Sequence, residues 1–384
     1  MSDFRERAAI AFRRALALDS DFAAPLAGLI EAAAFARDTA EVRRLAARHI
    51  ARMHATEGTD YIRWRVAVAL EDSVALSSLR ARFDSIDTSS IALIQFTSQV
   101  DGVALEDAER AVALMLRRAG DAGERTRAML AAQFLALNRG RPREAIRIND
   151  TYRIPVPEGN IQARFRVGYA LFWDGDASKA QLAAHVLERS IETARKSDQM
   201  KNSKSANVLS DRYAIALWRL SRGDTSTAAA TVRLLRIDPS DSARVRGARQ
   251  ASLRRADVLD AVLAAATRRP DASALLDRLD SLTQIGCCET PHPANLVVAR
   301  LREREGNMAS ALNAVRRQKW YFPPEYLSIA LRGEGRLAAL TQDTIGAIKA
   351  YRHYLALRSN PEPEWLADAD KIRNEVRRLE RLPR

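Results

Sequence analysis

The sequence predicts an all-α protein of stacked helix–turn–helix repeats, and three observations carry that prediction. Ala, Leu and Arg, all strong helix formers, dominate the 384 residues, while aromatic residues make up only 6%. The 16 Gly and 13 Pro fall mostly between periodic segments, where helices stop and start. One kind of turn recurs, as "GRPREA" (140–145), "GDASKA" (175–180), "GDTSTA" (223–228), "GNMASA" (306–311) and "QDTIGA" (342–347). In each, Gly or a polar residue ends one helix, Pro, Ser, Asp or Thr helps open the next, and a final Ala lets two helices pack closely. The recurrence also keeps a stride. With Ala8, Val42, Leu76, Ala111, Ala145 and Ala180 as equivalent anchors, successive steps are 34, 34, 35, 34 and 35 residues. That is the length of one helix–turn–helix unit.

The elements follow in order along the chain. "ERAAIAFRRALALDSDFA" (6–23) places Ala8, Phe12 and Ala15 on one helix face, and Asp19, Ser20 and Asp21 supply a polar stop. This reads as a second helix whose first helix is missing, so the expectation is a piece normally preceded by another domain, or a late start. Repeats between Asp60 and Asp121 are degenerate. Beyond Ala180 the anchors continue at Ala228, Ala274, Ala311 and Ala347, with steps of 48, 46, 37 and 36. The two long steps coincide with the polar inserts 196–207 and 238–250, which belong on loops. At the end of the chain Trp365, Ala369, Ile372, Val376 and Leu379 share one stripe, as a terminal capping helix requires. The expected organisation is regular repeats over 1–195, repeats with loop insertions over 196–360, and a capping helix over 361–384.

These residues carry a family resemblance. Ala8, Phe12 and Ala15 reproduce a second-helix signature of Ala, an aromatic four residues on, and Ala three further. "RGDTSTAAATVRLLRIDP" has the turn, the Ala and the closing Pro239; "GEGRLAALTQDTIGAIKAYRHYLAL" has the first-helix Gly335, then Ala347 and Tyr351. Over nearly its whole length the chain resembles the tetratricopeptide repeat (TPR) family. It departs from that pattern where first-helix Trp and Tyr are mostly absent and where Tyr354 replaces a final small residue. The resemblance implies a right-handed α-solenoid in which each repeat touches only its neighbours and first helices line a concave groove.

Composition narrows the function. The net charge is +13, and 54 of the 61 basic residues are arginine. No block of five or six like charges occurs, and most arginines alternate with Glu or Asp on helix faces. Solvated helix surfaces account for that pattern better than nucleic-acid binding does. No stretch reaches the ~18 apolar residues of a membrane span, and no signal-peptide core opens the chain. The expected setting is the cytoplasm. Cys287 and Cys288 are adjacent and unsuited to a structural disulfide, and the histidines are scattered without metal-ligand spacing. "GEGRLA" (333–338) lacks a preceding strand for a dinucleotide site, and "RGD" (222–224) occupies one of the recurring turns. No phosphate-binding loop, nucleophile elbow, zinc helix or kinase signature is present. The sequence therefore predicts a non-catalytic chain without cofactor or metal.

Aligning on the anchors places Arg127, Gln162, Arg166, Tyr169, Arg332 and Arg336 on one inward stripe. Gln162, Arg166 and Tyr169 fall at i, i+4 and i+7. Arginine there forks onto carboxylates, and Tyr169 with Phe172 and Trp173 offers an aromatic shelf. The expected function is a protein-interaction scaffold whose groove takes acidic peptide segments of other proteins, with nucleic acid and membrane disfavoured as partners. The alternative is the C-terminal regulatory region of a bacterial signalling protein. The tail is similar to solenoids that follow the catalytic domain of bacterial serine/threonine protein kinases, or the DNA-binding domain of some transcriptional activators.

Overall fold

A computed structural model of the protein describes residues 2–20, 22–50, 59–151, 159–172, 177–196, 206–236, 243–284, 294–317 and 326–382. The described residues form helices and turns, with no strand among them. By contact the chain divides into two units. The first comprises Met1–Ala145, Phe322–Ser328 and Arg352–Glu375; the second comprises Ile146–Tyr321, Ile329–Tyr351 and Val376–Arg384.

The first unit holds α1 (Ser2–Leu18), α2 (Ala23–Ala36), α3 (Thr39–Ile50), α4 (Thr59–Ala69), α5 (Ser73–Ala81), α6 (Thr88–Asp101), α7 (Leu105–Arg118) and α8 (Ala122–Asn138). It also holds the start of α9 (Pro142–Thr151). The second holds α10 (Gly159–Phe172), α11 (Ala177–Lys196), α12 (Ala206–Ser221), α13 (Thr225–Arg236), α14 (Ala243–Ala266), α15 (Ala272–Gln284), α16 (Ala294–Arg304) and α17 (Met308–Arg316). Helices α18 (Leu327–Leu340), α19 (Thr344–Leu357) and α20 (Pro363–Glu380) contribute residues to both. Within each unit successive helices pair, and even-numbered helices also meet one another: α2 with α4 and α4 with α6, then α10, α12, α14 and α16 in series. An amphipathic helix buries one stripe against its hairpin partner and a second against the next hairpin.

A shared turn produces this alternation. Arg37, Glu71, Gly102, Gly140, Gly223, Arg268, Gly306 and Gln342 all have left-handed backbone, with φ between 53° and 90°. At each, that residue's N–H bonds to the carbonyl three residues back, and the next N–H reaches the carbonyl five back. The pair satisfies carbonyls that the ending helix leaves without partners. The following residue then caps the new helix. Asp38, Asp72, Asp224, Asn307 and Asp343 each accept the N–H three residues on, at 2.9–3.1 Å. Four residues past the cap lies the anchor, and Val42, Ala145, Ala228, Ala311 and Ala347 are completely buried there. Ala274 is a correction. It is exposed, because Arg269 and Pro270 lengthen its turn by two residues and the anchor position passes to half-buried Leu275, whose N–H bonds to the Asp271 carbonyl. The turn at Gly175 lies outside the described residues, as do 197–205 of the first polar insert and 238–242 of the second; the rest of the second, 243–250, corrects the expected loop, being the first two turns of α14.

The expectation that each repeat touches only its neighbours is also corrected. At the α8–α9 turn the cap position holds Arg141, which cannot accept an N–H. The carboxylate comes instead from Glu362, which accepts the N–H groups of Arg143 at 3.2 Å and Glu144 at 3.1 Å. In return the Glu362 N–H donates to the Gly140 carbonyl at 2.9 Å, and Arg141 Nε donates to the Asn360 carbonyl at 3.1 Å. Nearby, His353 Nε2–H donates to the Gln99 carbonyl at 2.9 Å. All of these contacts lie within the first unit. On α20, Ala369, Ile372, Val376 and Leu379 of the expected stripe are buried. Trp365 is half-buried, with the Arg358 guanidinium 4.7 Å from its ring centre.

Gly140 and Gly306 separate two costs of adding a side chain. Both have positive φ, but a Cβ on Gly306 meets nothing within 4 Å, whereas one on Gly140 meets Arg358 Cδ at 2.8 Å and Pro361 Cβ at 3.0 Å. Gly306→Ala is expected to lose about 1–2 kcal/mol from backbone strain alone, and Gly140→Ala more, as read by urea denaturation. Glu362→Ala should lose about 0.5–2 kcal/mol as a lost cap. Adding Arg141→Asp, which restores a local cap, should recover part of that loss in the same assay.

Candidate functional site

The predicted inward positions fall on three helices: Arg127 on α8, Gln162, Arg166 and Tyr169 on α10, and Arg332 and Arg336 on α18. Arg127 belongs to the first unit and the other five to the second. The side chains of Gln162, Tyr169 and Phe172, and all of Trp173, lie outside the described part. Arg166 Nη2 lies 2.5 Å from Asp150 Oδ1. Arg336 grips Glu303 through both terminal nitrogens at 2.6 Å, and this hydrogen bonding holds the Glu303 carboxyl below its ordinary range. Arg127 and Arg332 are exposed, Arg127 without an ion pair among the described residues. Exposed ion pairs contribute only about 0–1 kcal/mol, so an incoming carboxylate can exchange with Asp150 or Glu303 at little cost.

Within the first unit, α2, α4 and α6 are joined by a polar ladder. The Tyr61 hydroxyl hydrogen-bonds to Glu31 and lies 2.9 Å from Thr97 Oγ1. Arg65 is 3% exposed; it lies 3.2 Å from Glu31 and 2.5 Å from Asp101. Burial pushes the Glu31 carboxyl up, against the pull of Arg65, and it also drives the Tyr61 phenol far up, aided by Glu31. The ladder continues through buried Gln99, whose Nε2 donates to Gln95 Oε1 at 2.7 Å and whose Oε1 accepts from Asn138 at 3.0 Å. Asn138 Oδ1 then accepts the Ser328 N–H at 3.1 Å. These groups hold each other across helices and fix how the helices are registered.

A second cluster joins α10, α12 and α14, and the sequence stripe missed it. Arg164 Nε lies 2.6 Å from Asp211 Oδ1, and Arg255 Nη2 donates to Ser210 Oγ at 2.9 Å. Arg164 is two residues from Arg166, about 200° around the helix. The α10 arginine that reaches α12 is therefore not the one in the predicted stripe. Tyr213 on α12 and Ser252 on α14 are also buried, and neither hydroxyl has a hydrogen-bond partner among the described residues. Leaving such a hydroxyl unsatisfied costs about 1–3 kcal/mol. Burial, reinforced by the charge of Arg164, pulls the Arg255 guanidinium below its ordinary range. Ser210 with Tyr213 and Ser252 with Arg255 are each spaced i, i+3. That spacing carries no signal until α12 and α14 are known to be neighbours.

Cys287, Cys288 and His292 lie outside the described residues, and among those described no group of His, Cys, Asp and Glu could hold a metal ion. No described helix is long and apolar enough to cross a membrane. Comparisons of the chain with protein-family models, curated proteins and solved structures find no match.

His49 on α3 supplies a titration test. It is 1% exposed, neither ring nitrogen has a hydrogen-bond partner among the described residues, and burial lowers its pKa from the usual 6.5. Well above that pH the ring is neutral in both folded and unfolded chains. As pH falls through it, the unfolded chain takes up a proton that the folded chain resists, so stability declines toward acid. Thermal unfolding followed from about pH 7.5 to about pH 5.5 should show a falling Tm, with a smaller fall in His49→Leu. Equal slopes in the two proteins would count against the buried neutral ring.

Proposed function

We propose that the chain is a non-catalytic protein-interaction scaffold, a right-handed α-solenoid of TPR-like repeats whose groove takes acidic segments of other proteins. The observation that supports this best is the recurring turn. A left-handed residue, a following cap and a buried small anchor repeat at eight, five and five positions respectively. Such units bury their apolar faces only by stacking on one another, and stacked units expose long continuous surfaces suited to extended ligands. Arginine suits that surface because its guanidinium forks onto carboxylates. Arg166, Arg332 and Arg336 of the second unit, with Gln162 and Tyr169, are the positions assigned to that contact.

Enrichment from a peptide-display library tests the reading. The native chain is expected to retain acidic peptides, with affinity declining as salt rises. An Arg332→Glu variant should bind the same peptides about tenfold or more weakly, the loss of one charged hydrogen-bonded contact. Unchanged capture by the variant, or retained peptides without acidic bias, would refute it.

A further inference from the structure

On α11, Gln181, His185 and Glu188 fall at i, i+4 and i+7 and share one face, where Trp218 and Arg219 of α12 meet them. The polarity of these contacts is fixed from both ends. The Trp218 indole N–H can only donate, and it lies 3.2 Å from Gln181 Oε1. That turns the Gln181 NH2 toward His185, whose Nε2 is 3.0 Å away. An amide nitrogen only donates, so His185 Nε2 accepts and carries no proton. At the other end Glu188 Oε2 lies 3.0 Å from His185 Nδ1, and Glu188 Oε1 accepts from Arg219 Nε at 3.0 Å. Burial raises the Glu188 carboxyl, but the Arg219 and His185 hydrogen bonds outweigh it and hold the group below its ordinary range. Glu188 is therefore an ionised acceptor, and the ring proton sits on Nδ1. His185 is neutral in this arrangement, yet its side chain is 53% exposed and open to protons from solvent. Trp218 is buried.

We propose that His185, Gln181 and Trp218 form a proton-operated latch between α11 and α12. A proton taken up at Nε2 makes the ring a donor at both nitrogens and sets N–H against N–H at Gln181. Rotating the amide removes that clash, because Oε1 then accepts from His185. The same rotation turns the NH2 onto the Trp218 N–H, donor on donor, so Trp218 loses its bond to α11. The charged groups around the latch have their own places. Arg219 holds Glu188 and lies 3.5 Å from Asp224, and the Arg222 guanidinium lies 6.0 Å from the Trp218 ring centre. Arg189 stands one turn past His185 on α11. On α10, which also packs on α11, Arg164 lies 2.6 Å from Asp211 and Arg166 lies 2.5 Å from Asp150. The latch lies wholly within the second unit and does not depend on the peptide-binding reading.

Nuclear magnetic resonance of the intact chain, isotope-labelled at the tryptophan indole and histidine ring nitrogens, tests the proposal between about pH 8 and about pH 5. Trp218→Phe and His185→Gln assign the two signals. At the alkaline end His185 should show the Nδ1–H tautomer. As pH falls, the Trp218 indole signal should move with the same midpoint as the His185 ring, and its proton should exchange faster with water. In Gln181→Glu a carboxylate accepts from His185 and Trp218 alike, so the ring should still titrate while most of the movement at Trp218 is lost. His185→Gln should likewise hold the Trp218 signal still. Gln181 and His185 are exposed, so both variants should keep the fold. An Nε2–H tautomer at high pH, a Trp218 signal that does not follow His185, or full movement persisting in Gln181→Glu would overturn the proposal.

Discussion

Two helices joined by two or three residues must end one row of unsatisfied carbonyls and begin one row of unsatisfied N–H groups almost at the same point. The rest of this structure depends on how that is done. One residue turns left-handed, its N–H and the next close the old helix, and an Asp or Asn immediately after it opens the new one. The reversal leaves little freedom in where the second helix lies, so the residue four past the cap faces the first helix. At most turns it is small and completely buried. Gly102, Gly140, Gly223 and Gly306 adopt this backbone without strain, whereas Arg37, Glu71, Arg268 and Gln342 hold it against about 1–2 kcal/mol each. Backbone strain at half the turns means that packing of the helix pair, more than local preference, sets the conformation.

Much of this was legible in the sequence because it is local. "GDTSTA" contains the left-handed Gly223, the cap Asp224 and the buried Ala228 within six residues. Glu71 gave no such sign, since a charged residue at positive φ has no sequence signature. The placement of Ala274 failed for a related reason, because two additional residues in a turn move the buried position without changing the stride noticeably. The contact between Glu362 and the α8–α9 turn was outside the reach of periodicity altogether. Arg141 at a cap position signals only that a partner is lacking, not that it stands more than 200 residues away.

The candidate site was legible only in part, and helix geometry explains why. A stripe read from spacing gives the residues that share a face but not the direction in which that face points. Arg166 shares a face with Gln162 and Tyr169, yet it meets Asp150, while Arg164 meets Asp211 on α12. The buried ladder of Glu31, Tyr61, Arg65 and Asp101 was hidden for another reason. Each is an ordinary surface residue type, and each becomes an interior group only because its partners arrive from other helices.

The arginine-rich composition takes a different meaning once partners are assigned. A net charge of +13 describes the whole chain, but its arginines are not equivalent. Arg65 bridges Glu31 and Asp101, Arg80 grips the buried Asp107, and Arg302 gathers Asp277, Asp280 and Glu305. Such groups join helices, and their charge is spent inside the molecule. Arg255 differs from them in kind: it is half-buried and has the Ser210 hydroxyl where the others have a carboxylate. The surplus positive charge thus matters less as a total than through the few positions where the chain does not neutralise itself.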